Sequence, residues 1–207
     1  VARPFLPLAE RLGVLLTGLA QGAVDAIECQ YLGRIGEVDT RALTLAIVKG
    51  VLSGVVHEPV SYVNAPIIAR ERGIAISEMR SAVSSDYVNL VAIRAETEDG
   101  EVSVAGTLVG KRNDQRVMQV LGYDIEMPPA RYMLFLTYED RPGIIGRVGT
   151  ILGNHDVNIG TMDVGRRSTG GTALMGLTLD SPAAPEVVEE IRTSIGAAIA
   201  RFIVLPE

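Results

Sequence analysis

The clearest pattern of apolar and polar positions lies in residues 132–159. A short apolar run at 132–136 is followed by the polar turn Asp140-Arg141-Pro142-Gly143. Apolar residues then recur at helical spacing, at Ile144, Ile145, Val148, Ile151 and Leu152. This pattern predicts a buried strand, a tight turn and a helix with one apolar face, and it places Pro142 in the first turn of that helix.

Two glycines interrupt the predicted helix. Gly146 and Gly149 lie in turns where glycine lowers helix stability by roughly 1 kcal/mol relative to alanine. A glycine at such a position allows another backbone to approach closely. We therefore expect another segment to cross the helix at these two positions.

The remainder of the C-terminal third predicts three more strands and one more helix. The strands are expected at 158–166, 172–179 and 199–205, with a hairpin turn at 168–171 between the first two. The helix is expected to begin near Glu186, because acidic residues fill its first turns, where the helix dipole favours them.

The first 129 residues show helical periodicity first and strand patterns afterwards. Helices are predicted from residue 6 to an end at Gln21-Gly22, at 42–56 and at 65–73, and strands at 24–32, 88–97, 102–109, 115–120 and 123–127, with a turn at 98–100. Pro128-Pro129 cannot continue a central strand and marks a boundary between domains 1–129 and 130–207. The predicted fold class is α+β, with helices and an antiparallel sheet in the first domain.

Composition and charge exclude several classes of function. With 47% hydrophobic and 21% charged residues, the chain is typical of a globular protein that buries a core. A net charge of −6 and the absence of tryptophan argue against a nucleic-acid partner. Cys29 is the single cysteine, and with 2 histidines it provides no ligand set for zinc or an iron–sulfur cluster.

The apolar stretches and the N-terminus of the sequence bear on the expected cellular location and on whether the chain is a fragment. No apolar stretch is long enough to cross a bilayer, and the N-terminus lacks a signal-peptide pattern, so we expect a cytoplasmic protein without a membrane partner. The chain begins with Val1 rather than methionine. We therefore expect a fragment of a longer chain.

The strand, turn and helix at 132–154 offer a site for a small ligand. The free N–H groups at the start of the helix favour an anion or a carboxylate. Asp140 and Asn158 flank this region in sequence, and a carboxylate with an amide would complement a zwitterionic amino acid. The alternative interpretation is that Asp140 caps the helix and Asn158 satisfies a turn.

Asp140-Arg141-Pro142-Gly143, with Asn158-Ile159 downstream, resembles an ACT domain. This resemblance implies a ferredoxin-like βαββαβ module, which in many family members binds amino acids at an interface between domains. Motifs along the whole chain also resemble the C-terminal half of long-form D-3-phosphoglycerate dehydrogenases, in which an intervening, or allosteric substrate-binding, domain precedes the ACT domain. They are Leu8-Ala9-Glu10-Arg11-Leu12-Gly13, Lys49-Gly50-Val51-Leu52, Val63-Asn64-Ala65-Pro66, Ala69-Arg70-Glu71-Arg72-Gly73-Ile74 and Ala105-Gly106-Thr107-Leu108.

The resemblance implies a parent enzyme that oxidises 3-phosphoglycerate to 3-phosphohydroxypyruvate with NAD, in serine biosynthesis, and whose catalytic residues lie in N-terminal domains. Gly143, Gly146 and Gly149 are spaced by three and do not form a dinucleotide fingerprint. His57 and His155 lie at helix ends without a nucleophile partner. We expect no catalytic residue and no cofactor in this part, with NAD bound elsewhere in the parent enzyme, and no activity of this part alone.

The resemblance also implies an effector site for L-serine. Its contacts are carried over to Tyr138, Asp140 and Asn158, with Asn158 reaching from a partner subunit, and we add Gly143 and Ile144 at the start of the helix. Some members have His and Asn where this chain has Tyr138 and Asp140, which bears on the affinity for serine. Self-association through the ACT and intervening domains, as a dimer or tetramer, is expected.

A second candidate site is basic. Lys111, Arg112 and Arg116 cluster in sequence, and Arg131 follows the two prolines. In some family members a basic residue at the position of Arg116 helps to bind a phosphorylated substrate, so Arg116 and Arg131 are candidate phosphate ligands. The alternative is a solvated basic loop.

Two other interpretations stay open at this point. The β chain of an iron–sulfur serine dehydratase has a related pair of domains, but its Ser-Ser-His-Thr stretch near the start is absent here. A free-standing ACT regulator that acts on another protein is the other.

Overall fold

The computed structural model describes residues 1–56, 58–84, 86–97 and 100–206. The chain divides into two compact units, Val1–Gly122 and Tyr123–Glu207. His57 and most of the turn predicted at 98–100 lie outside the described residues. The last strand before Pro128-Pro129 belongs to the second unit, and the domain boundary after residue 129 stays a prediction.

Within its described residues, the first unit contains three α-helices and five strands. The helices are α1 (Leu6–Leu19), α2 (Arg41–Ser53) and α3 (Ala65–Glu71), with two short 3-10 segments at Arg3–Phe5 and Arg34–Glu37. The strands are β1 (Val24–Gly33), β2 (Ala75–Ser81), β3 (Asn89–Thr97), β4 (Gly100–Val109) and β5 (Asp114–Val120). The predicted α+β class is confirmed.

The sheet of this unit is mixed rather than wholly antiparallel. Its strands lie in the order β2-β1-β3-β4-β5. The pairs β1–β3, β3–β4 and β4–β5 are antiparallel, whereas β1 and β2 are parallel. The expectation of an antiparallel sheet is wrong for this one pair, because α2 and α3 form the long crossover that a parallel connection requires.

Helices α1 and α2 pack backbone to backbone. A Cβ added at Gly13 would lie 2.3 Å from the carbonyl oxygen of Ile47, and one added at Gly50 would lie 2.1 Å from that of Glu10. Beside this crossing, Lys49 Nζ lies 2.7 Å from Glu10 Oε1, with both side chains largely buried. The helix crossing at glycine therefore occurs at Gly13 and Gly50.

The buried face of β1 carries the single cysteine. Val24–Gly33 alternates as predicted, with Ile27, Cys29 and Tyr31 fully buried. The Tyr31 hydroxyl lies 2.6 Å from Thr44 Oγ1. Burial raises the pKa of the Cys29 thiol from its ordinary value of 9.0 to about 12, with further contributions from nearby carboxylates, and it raises the pKa of Tyr31 as well.

Cys29 is expected to be inert to thiol reagents in the native protein. At pH 8 a disulfide-exchange reagent should label it at least about a thousandfold more slowly than in denaturant, because the thiolate is disfavoured and the sulfur is enclosed. The pKa of Cys29 is higher in the folded than in the unfolded protein. The contribution of this thiol to the free energy of unfolding is therefore complete below about pH 9 and is lost as the pH rises toward 12. Urea titrations at pH 8 and pH 10 measure the loss of stability with rising pH. Labelling of Cys29 as fast in the native protein as in the denatured protein would contradict the prediction of an inert thiol.

In its described part, residues 123–206, the second unit contains two helices and five strands. They are β6 (Tyr123–Met127), β7 (Tyr132–Glu139), α4 (Ile144–Asn154), β8 (Ile159–Arg166), β9 (Thr172–Leu179), α5 (Pro185–Ile195) and β10 (Ile199–Val204). The last four strands form an antiparallel sheet in the order β10-β7-β9-β8. This confirms the predicted ferredoxin-like βαββαβ module.

The two faces of this sheet are covered differently. Leu134, Leu136 and Tyr138 of β7 face the core shared with α4 and α5. On the opposite face β6 lies against β8 and β9, where a Cβ added at Gly165 would lie 2.6 Å from the carbonyl oxygen of Asp124. The Tyr123 hydroxyl also donates to Thr172 Oγ1 at 2.9 Å.

Two details of α4 differ from the prediction. The helix begins at Ile144 with Gly143 as its N-cap, so Pro142 lies before the helix rather than in its first turn. Gly143 has φ = +91°, a left-handed conformation that ends the turn and that favours glycine. Apart from the neighbouring backbone of α4 itself, no atom of the described residues lies within 4 Å of a Cβ added at Gly146 or Gly149, so no other described segment crosses α4 there.

The helices of the described residues are short or polar. None of them is both long enough and apolar enough to cross a membrane.

Candidate functional site

An open cavity of about 450 Å³ lies at the N-terminus of α4. It is bounded by the loop that joins β7 to α4 and by the turn between β8 and β9. Its lining consists of Tyr138, Asp140, Arg141, Pro142, Gly143, Ile144, Ile145, Arg166, Thr169 and Gly170. Its volume is within the range of small-molecule sites, roughly 300–1,000 Å³.

The loop and the hairpin are joined by backbone pairing. The Asp140 N–H donates to the carbonyl oxygen of Gly171 at 2.8 Å, extending the ladder between β7 and β9 by one bond. The left-handed Gly143 then directs the chain into α4. The loop after β7 and the turn between β8 and β9, which supply most of the lining, are therefore anchored to the sheet and to α4.

The start of α4 is available to a ligand. The first N–H groups of an α-helix have no partner within the helix and carry partial positive charge. No described side chain caps this helix. The alternative interpretation, in which Asp140 is the cap, is therefore wrong.

Two oppositely charged residues of the lining form an ion pair. Asp140 Oδ2 lies 3.3 Å from the Nε of Arg166, with the aspartate side chain 14% exposed and the arginine 52% exposed. The other arginine of the lining is directed elsewhere, because Arg141 Nη2 donates to the carbonyl oxygen of Ile195 at 3.4 Å. Arg147 donates in the same way to Ser194, at 2.7 Å. These two bonds stabilise the end of α5, where cations are favoured.

Tyr138 forms part of the inner wall. It is 3% exposed and lies on the helix-facing side of β7. Burial raises the pKa of its hydroxyl; the negative charge of Asp140 adds to this and Arg166 opposes it. The hydroxyl therefore stays protonated at neutral pH and can donate a hydrogen bond.

Asn158 lies far from this cavity within one chain. It is exposed just before β8, and its Nδ2 donates to Asp180 Oδ2 at 2.6 Å. Arg166 ends the same strand, whose 8 residues span roughly 25 Å at about 3.3 Å per residue. Within one chain Asn158 therefore does not line this cavity, and its predicted contribution from a partner subunit stays a prediction.

Four of the five predicted effector residues line the cavity: Tyr138, Asp140, Gly143 and Ile144. Sequence reasoning missed Arg166 and the hairpin residues Thr169 and Gly170. The signal was present, because in a ferredoxin-like module the strand after the hairpin pairs with the first strand. That pairing brings the predicted 168–171 turn beside the loop that follows residue 139.

The two candidate phosphate ligands lie in different units. Arg116 is half-buried in β5, and its Nη1 donates to the carbonyl oxygen of Gln115 at 2.8 Å. Arg131 is exposed in the second unit, with its guanidinium carbon 5.7 Å from the centroid of the Tyr132 ring. A phosphate site at these residues stays a prediction.

No group of three or more His, Cys, Asp and Glu residues within residues 1–56, 58–84, 86–97 and 100–206 is placed to hold a metal ion.

Comparison with known proteins finds one matching family model for each part of the chain. Residues 1–121 match the family model of the D-3-phosphoglycerate dehydrogenase intervening domain, and residues 132–196 match that of the ACT domain. The chain is 40% identical over 195 residues to D-3-phosphoglycerate dehydrogenase of Synechocystis sp., which covers 94% of this chain and 35% of the relative. The same enzyme of Bacillus subtilis is 32% identical over 204 residues, covering 99% of this chain and 39% of the relative.

A third relative is archaeal. D-3-phosphoglycerate dehydrogenase of Archaeoglobus fulgidus is 33% identical over 204 residues, which cover 98% of this chain and 38% of the relative. The chain thus spans less than two fifths of the length of these curated relatives. Since its family models and its relatives agree, the chain belongs to the D-3-phosphoglycerate dehydrogenase family and comprises an intervening domain followed by an ACT domain.

Proposed function

We propose that this chain is the regulatory and oligomerising C-terminal part of an NAD-dependent D-3-phosphoglycerate dehydrogenase, and that the cavity at α4 binds L-serine. The observation that carries the proposal is the cavity itself. It combines a carboxylate, an arginine and free helix N–H groups within one volume of about 450 Å³. A zwitterionic amino acid requires these complementary groups.

The activity of the parent enzyme is part of the proposal. The relatives are named for the oxidation of D-3-phosphoglycerate, and this chain matches 35–39% of the length of the three described above. We assign NAD binding and the catalytic step to the remaining portion of such an enzyme, in the cytoplasm, and we assign regulation to the part described here. By itself this part is then inactive.

Serine would be held by its ammonium group and its carboxylate. Asp140 pairs with the ammonium, while the N–H groups at the start of α4, whose first residues also line the cavity, are hydrogen-bond donors for an anionic group of the ligand. The neutral Tyr138 hydroxyl is a donor or acceptor for the side chain of the ligand. Since Asn158 lies at the other end of β8, it takes part only if a second subunit supplies it, which makes the site an interface between two chains.

Regulation then follows from the association of subunits. A ligand that contacts two chains favours the arrangement in which both sets of contacts are made. It changes activity only by its different affinity for the two arrangements.

Isothermal titration of L-serine into the 207-residue chain tests the proposal, with light scattering before and after. Heat corresponding to one site per chain, or one per two chains, is expected, and Asp140→Ala should weaken binding by about tenfold or more because the ammonium loses its counter-charge. Asn158→Ala should weaken it as well. Asp163→Ala on the opposite face of the sheet is the charge-matched control.

Two results would count against this function. A folded, associated protein that gives no heat with serine would show that the ACT module is only an assembly surface. Binding that survives Asp140→Ala unchanged would place serine elsewhere in the chain.

A further inference from the structure

The cavity holds an internal ion pair that a ligand must replace. Asp140 and Arg166 lie 3.3 Å apart, whereas charge-assisted hydrogen bonds between these groups are usually about 2.7–2.9 Å. The pair is therefore long, and the arginine side chain is half exposed. Both charges face a volume that accommodates a small molecule.

Arg166 lines the cavity, and its guanidinium is paired there with Asp140. Arg141 also lines the cavity, but its guanidinium donates to the end of α5. The next residue along the hairpin, Arg167, lies with its guanidinium carbon 4.6 Å from the centroid of the Tyr123 ring, on the other face of the sheet. At the end of β8, two adjacent arginines thus lie in different environments: Arg166 lines the cavity, and Arg167 stacks on Tyr123.

We propose that Arg166 binds the carboxylate of the effector and so determines that the effector is an α-amino acid with both charges free. On binding, the ligand ammonium takes the place of Arg166 at Asp140, and the released guanidinium takes the carboxylate by two parallel hydrogen bonds. This inference rests on the proposed function, because it specifies how the same site recognises its ligand.

The exchange of partners defines the class of ligand. An amine without a carboxylate pairs with Asp140 but leaves the Arg166 guanidinium without a counter-charge. A hydroxy acid, which has no ammonium group, pairs with Arg166 and leaves the Asp140 carboxylate without one. Each unpaired charge in a partly enclosed site is costly. A zwitterion pairs with both Asp140 and Arg166 at once. The preference for zwitterions over amines and hydroxy acids therefore follows from this ion pair rather than from the shape of the cavity.

The test compares L-serine with L-serinamide, in which a neutral amide replaces the carboxylate. Calorimetry on the full chain should show that the wild-type protein prefers serine by about tenfold or more. In Arg166→Gln the affinity for serine should fall by a similar factor, whereas serinamide should bind at least as tightly as before, because Asp140 has lost its internal partner. Arg166→Lys should be intermediate, since it keeps the charge and loses the planar fork.

Arg167→Gln is the matched control, because it removes the same charge from the neighbouring position outside the cavity. It should leave the preference for serine unchanged. A purely structural role of Arg166 would weaken both ligands equally, and that result would overturn the inference, as would equal serine affinity in the wild type and Arg166→Gln. Absence of binding of either ligand to the wild-type protein would overturn the proposed function and this inference together.

Discussion

Replacing Gly50 with alanine is expected to destabilise the first unit by about 3 kcal/mol and to lower its melting temperature by roughly 10 °C. The added methyl would lie 2.1 Å from the carbonyl oxygen of Glu10 and 3.1 Å from the backbone nitrogen of Val14. These obstacles are backbone atoms of α1, which cannot rotate away. The two helices must therefore move apart, which loosens the packing of every side chain between them and strains the Lys49–Glu10 pair.

Hydrogen exchange measured by mass spectrometry localises this effect. Peptides that cover α1 and α2 should lose protection in Gly50→Ala. Gly54→Ala is the control, because a methyl there would meet only Thr17 Cγ2 at 3.7 Å, an ordinary contact. Equal exchange in the wild type and Gly50→Ala would show that the helix crossing is not the tight contact described here.

Replacing Gly165 with alanine should destabilise the second unit by about 2 kcal/mol. The methyl would point at the carbonyl oxygen of Asp124, 2.6 Å away, with the Tyr123 and Ile125 side chains each at 3.1 Å. Strand β6 would be pushed off β8, which also strains the bond between the Tyr123 hydroxyl and Thr172. Urea denaturation measures the loss, and faster exchange in residues 123–127 would locate it.

Gly160→Ala provides the comparison on the same strand. Its nearest neighbours are the side-chain oxygens of Thr178 at 3.0 Å and Asp180 at 3.3 Å, which can rotate. The change in stability should stay within about 0.5 kcal/mol. If the two substitutions proved equally costly, backbone obstruction by β6 would not be the cause.

The elements were largely predictable because their patterns are local. Thr172–Leu179 and Tyr123–Met127 have the predicted bounds, and α1 begins at the predicted Leu6 but ends at Leu19, before the predicted end at Gln21-Gly22. In each case an apolar run is closed by turn residues that lie next to it in sequence. Where a predicted bound differs, as at the end of α2, the helix ends at Ser53 before Gly54, although apolar residues continue to Val56.

Contacts between distant segments could not be predicted in the same way. Periodicity locates a glycine in a helix but does not show which of its sides meets another backbone. Gly146 and Gly149 have nothing within 4 Å in the described chain, whereas Gly13 and Gly50 are in direct contact with the facing helix. The parallel pairing of β1 with β2 depends on a crossover of two helices, which strand patterns do not encode.

The candidate site shows the same division. Asp140, Gly143 and Ile144 lie close together in sequence and line one cavity. Arg166 joins them only because β9 lies between β7 and β8. The same topology moves Asn158 away, because it stands at the opposite end of β8.

The separation of Asn158 from Asp140 makes the proposed site sensitive to dilution. A single chain holds only part of the serine contacts, so a ligand that requires both residues draws free chains into complexes by mass action. The serine concentration that half-saturates the protein should therefore rise as the protein is diluted. The response of the enzyme to serine would then depend on how much enzyme is present as well as on how much serine is made.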